Sequence, residues 1–123
     1  MATTLAPVTD DENLVWERVI AAGITIKMIG GNCPVQAEGS FDDQTFYFRA
    51  RYSYWQFHVG PEDDWFTGRE WLLEGEFGTD YEAGWMCRHE ALDIIVDSVA
   101  AYRAMVALAT SDVLVPLDDK GAQ

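Results

Sequence analysis

The spacing of apolar side chains changes twice along the chain, from helical to alternating and back to helical. Leu14, Val15, Val19 and Ala22 fall three and four apart, with Trp16 and Ile20 beside them. That spacing predicts a short helix over Asp10–Ala22. Thr9 and Glu12 have the form of a capping box at its start, and Gly23 can take the left-handed conformation that stops it. Alternating runs follow. Ile24–Met28 puts Ile24, Ile26 and Met28 on one face. Val35–Gly39 begins just after Pro34, which can open a strand without breaking its ladder. Phe46–Tyr52 turns Phe46, Phe48 and Ala50 inward and Tyr47, Arg49 and Arg51 outward. Tyr54–Val59 turns Trp55, Phe57 and Val59 inward and Tyr54, Gln56 and His58 outward. Asp42-Asp43 reads as a tight turn. Arg69–Phe77 predicts a fifth strand, with Trp71, Leu73 and Phe77 inward.

From Arg88 to about Ala109 the helical spacing returns at Leu92, Ile95, Val99, Tyr102 and Val106. Short strands joined by short connections pair most economically as antiparallel neighbours, with one dry face and one wet face. The fold expected is α+β: an antiparallel sheet of four to five strands, with a long C-terminal helix and a short N-terminal helix packed on one face. One domain accounts for all 123 residues. Residues 1–8 and 112–123 read as flexible tails.

Composition narrows the function classes. Hydrophobic residues make up 49% of the chain, enough for a packed core. Twenty-one acidic residues against eight Lys and Arg give a net charge of −13. Direct nucleic-acid binding runs on Lys and Arg neutralising phosphate, and a polybasic membrane anchor needs the same residues. Neither fits this charge. No membrane span and no secretory leader is legible, so a cytoplasmic location is expected. Cys33 and Cys87 are too few for a disulfide framework.

The charge is concentrated. Residues 61–82 hold eight acids, Glu62, Asp63, Asp64, Glu70, Glu74, Glu76, Asp80 and Glu82, against the single base Arg69. Trp65, Phe66, Trp71 and Tyr81 are interleaved with them. Aromatic anchors among carboxylates suit a surface that attracts and holds a cationic partner. Glu62, Asp63, Asp64, Trp65, Phe66, Glu70, Glu74, Glu76, Asp80 and Glu82 are therefore the candidate partner-binding residues. The plainer reading makes the acids a solvated face and the aromatics core. An alternative site is the outward row Tyr47, Arg49 and Arg51 with Tyr54, where aromatics and arginines on an open sheet face could stack a nucleotide or another small ligand.

Catalytic and metal motifs are absent. Cys33, His58, Cys87 and His89 match no close-pair zinc spacing, and no acidic run has the order of a calcium loop. No nucleophile elbow, P-loop or dinucleotide fingerprint occurs. A Cys33–His58 nucleophile pair is the one enzymatic alternative. No cofactor is implied.

The run Cys33-Pro-Val-Gln-Ala-Glu-Gly-Ser-Phe, followed by Phe46-Tyr-Phe-Arg-Ala-Arg, resembles a pattern in small phage and prophage proteins, with a weaker echo in Ala83-Gly-Trp-Met. No catalytic motif goes with that pattern. Size, acidity and compact α+β organisation are also similar to anti-CRISPR proteins and other phage-encoded anti-defence inhibitors. That resemblance implies a non-enzymatic inhibitor. It would present acids to the basic nucleic-acid-binding surface of a bacterial defence complex, such as a CRISPR effector.

Overall fold

A computed structural model describes residues 10–78 and 82–114. Helix α1 spans Asp10–Ala21. Five strands follow: β1 (Thr25–Gly30), β2 (Val35–Phe41), β3 (Gln44–Arg51), β4 (Tyr54–Val59) and β5 (Trp71–Glu76). Short 3-10 turns at Glu62–Asp64 and Glu82–Trp85 flank β5, and helix α2 closes the chain over Arg88–Leu114. The strands form one antiparallel sheet in chain order, β1-β2-β3-β4-β5. The chain is thus α+β, with a five-stranded sheet, a short N-terminal helix and a long C-terminal one.

Local chemistry sets the ends of the elements. Helix α1 stops as its sequence predicts. The Ile24 amide reaches the Val19 carbonyl and the Gly23 amide reaches that of Ile20, with Gly23 at φ +75°. This is the paired bonding of a Schellman cap. The Thr9 half of the expected N-terminal capping box lies outside the described residues. Helix α2 opens on a box of its own, in which the Cys87 amide donates to Glu90 Oε1 at 2.7 Å. Asp42 and Asp43 both take positive φ, the geometry of a two-residue hairpin turn.

Three cross-strand rows of the sheet point toward the helices: Val35–Ala50–Trp55–Gly75, Ala37–Phe48–Phe57–Leu73 and Gly39–Phe46–Val59–Trp71. Leu92, Ile95 and Val99 of α2 and Val15 and Val19 of α1 complete the core. Phe46 and Phe57 stack at 5.2 Å, and Tyr102 meets both Phe41 and Trp71 edge-on. Gly39 is required in its row. A Cβ there would lie 2.0 Å from the Thr25 carbonyl and 2.8 Å from the Phe46 ring.

Three expectations are corrected. Register slips between Ile26 and Met28, so Met28 faces outward and Ile29 takes the inward position. Helix α2 continues to Leu114, which removes 112–114 from the expected tail; residues 1–9 and 115–123 lie outside the description. Val106 is exposed rather than packed, because α2 runs past the last inward row of the sheet at Tyr102. Among the described residues no helix is long and apolar enough to cross a membrane.

Candidate functional site

The outer face of the sheet is not simply wet. Its rows run Gln36–Arg49–Gln56–Glu74, Glu38–Tyr47–His58–Leu72 and Arg51–Tyr54–Glu76. The connection between β4 and β5 folds back over the Tyr47–His58 row. There Trp65 stacks on Tyr47 at 5.2 Å and Phe66 lies 4.4 Å from the His58 ring. The Trp65 indole N–H donates to the Gly60 carbonyl, and the Tyr47 hydroxyl donates to Gln36 Oε1.

Glu70 fastens this connection. Its carboxylate lies 2.6 Å from His58 Nδ1, and it accepts the amides of Phe66 and Gly68 at 2.8 and 3.0 Å. Burial alone would raise the Glu70 carboxyl. The bonds from His58 and the backbone amides outweigh that and hold it at about 2. Both side chains are almost fully buried. His58 Nδ1 therefore donates to an ionised carboxylate. His58 Nε2 is buried and has no hydrogen-bond partner among the described residues.

The candidate partner-binding residues are consequently divided. Glu70 is internal, which corrects its assignment to the surface. Asp64 is paired, accepting from Arg69 Nε at 2.9 Å. Trp65 is spent on Tyr47 and Gly60, so it is a structural aromatic and not a free anchor. Phe66 is exposed and held at φ +67°. Asp63, Glu74, Glu76 and Glu82 are exposed. The Glu62 side chain and all of Asp80 lie outside the described residues. With Glu70 internal and Asp64 paired, the described acids of this run do not all join in one anionic surface.

The structure brings together a smaller patch. On the outer side of β4 and β5, Phe66 and Leu72 stand at one end and Tyr54 and Tyr52 at the other. Glu74 lies between, accepting from Gln56 at 2.7 Å, and Glu76 stands opposite Tyr54.

The alternative ligand face loses its centre. Tyr47 is buried beneath Trp65 and Phe66, and burial raises its hydroxyl above the ordinary value. Arg49 and Arg51 are half-buried, and Arg51 lies over Tyr52 at 5.0 Å. Tyr54 alone of that set is well exposed. The Cys33–His58 pair is not assembled either. The Cys33 amide bonds the Gly84 carbonyl beyond the Val35–Ala50 row, and His58 lies three rows further along the sheet. Cys33 is an exposed residue. Among the described residues no three His, Cys, Asp or Glu side chains converge as a metal site.

Two features were hidden in the sequence. The His58–Glu70 pair joins an outward strand residue to one of eight acids in an acidic run, and only the Gly60 and Gly68 brackets hint at a loop that folds back. The free side of β5 needs the strand order, which no local pattern supplies. The chain matches no protein-family model, no curated protein and no solved structure.

Proposed function

We propose that the protein is a non-enzymatic inhibitor of the anti-defence kind. It docks on a Lys- and Arg-lined surface of a nucleic-acid-handling protein and keeps nucleic acid from that surface. One observation supports this reading: Glu74 stands outward between exposed aromatic ends, Phe66 on one side and Tyr54 with Tyr52 on the other, and Glu76 stands outward beside Tyr54. Carboxylates steer a cationic partner inward, and the aromatic edges supply apolar contact once it arrives. The loop that carries Phe66 is clamped by Glu70 and His58, so little ordering cost falls on binding. Arg69 neutralises Asp64 within the loop, and Glu74 and Glu76 are among the exposed acids that remain.

Capture from a nuclease-treated bacterial lysate tests it, with the wild-type chain and the Glu74→Lys, Glu76→Lys double variant compared at low and high salt. A nucleic-acid-binding protein should be retained by the wild type at low salt. It should be released by high salt and lost from the variant, because exposed charges are screened beyond about 10 Å at 0.1 M salt. Retention that ignores both salt and charge reversal overturns the reading.

A further inference from the structure

The sheet has two edges, β1 and β5, and they are built differently. At β1 the register slips around Lys27. A bulge with a lysine in it is a standard way for a natural edge to refuse another strand. At β5 all six residues pair with β4 without a slip, and the strand has no proline, no lysine and no bulge.

Among the described residues, one side of the β5 main chain has no strand beside it. The Phe77 amide donates to the Ser53 carbonyl, which fixes the phase of the ladder. In an antiparallel ladder alternate residues bond the neighbour and the rest turn away. Counting back from Phe77, the N–H and C=O groups of Leu72, Glu74 and Glu76 point away from β4. Among the described residues no strand pairs with that side.

Cavities flank β5 on both faces. On the outer face one of about 390 Å³ is walled by His58, Phe66, Gly68 and Leu72, and another of about 390 Å³ by Tyr54, Glu74 and Glu76. On the helix side one of about 270 Å³ lies between Leu73 and Trp55 of the sheet and Ile94, Asp97 and Ser98 of α2. The Ser98 hydroxyl is buried with no hydrogen-bond partner among the described residues. Side chains of an added strand point alternately to the two faces, so it needs room on both.

We infer that β5 takes up an extended, basic segment of the partner as a sixth strand. Main-chain bonds to Leu72, Glu74 and Glu76 hold the segment. Lys or Arg side chains on its outer face meet Glu74 and Glu76. A modest apolar or hydroxyl side chain on its inner face enters the cavity by Ile94 and Ser98. This rests on the cationic-partner reading above and names how the partner is held. Strand addition draws affinity from the backbone and specificity from the flanking pockets.

The test uses the full chain and the capped peptide acetyl-Thr-Lys-Val-Lys-Val-Lys-Val-Thr-amide, with amide hydrogen exchange followed residue by residue by NMR. Exchange at Leu72, Glu74 and Glu76 should slow about ten-fold or more on saturation, as open edge amides become paired. The same peptide N-methylated on the residues that face the edge should not slow it. Glu74→Pro should also abolish the protection, since a proline is tolerated where the strand N–H faces outward. The N-methylated peptide decides the point if that variant does not fold. No slowing at millimolar peptide overturns the inference. Shifts at Glu74 and Glu76 with those amides unprotected also overturn it, yet leave the cationic-partner reading standing. A glutamine-for-lysine peptide that protects equally well overturns the basic occupant and the cationic reading with it. Protection that rises with protein concentration alone assigns the edge to a second copy and overturns it too.

Discussion

Glu70 shows how little a residue's type says about its place. In the sequence it is one of eight acids in a solvated-looking run. In the fold it is buried against His58, accepts two loop amides and has a carboxyl held at about 2. Its folded value lies below the ordinary 4.5, so the stabilisation it provides is complete above 4.5 and is lost as pH falls toward 2. Glu70→Gln should cost about 3 kcal/mol near neutral pH, the usual loss when one member of a buried pair is removed. The wild-type melting temperature should fall more steeply than the variant's between pH 5 and pH 3, and parallel acid limbs would refute the assignment. A second residue-scale test concerns Gly75. An added Cβ would sit 2.4 Å from the Trp55 ring. Gly75→Ala should therefore destabilise by about 1–3 kcal/mol and perturb tryptophan fluorescence.

Elements were far more legible than contacts. Apolar spacing, helped by turn residues and Pro34, predicted both helices and four to five strands, because alternate residues of a half-buried strand and every third or fourth residue of a helix must be apolar. The slip at Lys27 leaves no mark in the sequence pattern, because Ile24, Ile26 and Met28 alternate without a break and Ile29 looks like an ordinary flank. The C-terminal helix was legible in type and misleading in depth. Its apolar spacing continues through Val106, yet the sheet ends near Tyr102, and both Val106 and Leu108 are exposed. Ile95→Ala should cost about 2–5 kcal/mol, since it opens a cavity in the core. Leu108→Lys should change stability by less than about 0.5 kcal/mol, as surface substitutions do. Urea denaturation of the two variants separates the packed part of α2 from the part that only extends beyond the core. Equal losses would mean that the far end of the helix is packed after all.

For the whole molecule, the arithmetic of charge survives while its geography does not. The net charge of −13 was plain from composition, but its division into clamped, paired and outward carboxylates depends on a loop that folds back over its own sheet. Arg18 binds Asp93 and Asp97 across the helix pair, and Arg103 grips Asp42 through two bonds, which lowers that carboxyl. Few bases are left to offset the rest. The folded chain therefore repels itself, and compaction brings like charges closer than the unfolded chain does. Added salt screens that repulsion over about 8–10 Å. Raising salt from tens of millimolar to several hundred should increase the melting temperature of the free protein, while the same change should weaken the proposed complex with a cationic partner. The two effects have opposite signs and arise from different carboxylates. Glu74→Lys with Glu76→Lys should abolish binding at every salt concentration and leave much of the salt sensitivity of folding, because most of the acids lie elsewhere. Thermal melts and binding titrations across one salt series measure both, and a melting temperature indifferent to salt would show that the acids are too widely spaced to repel one another.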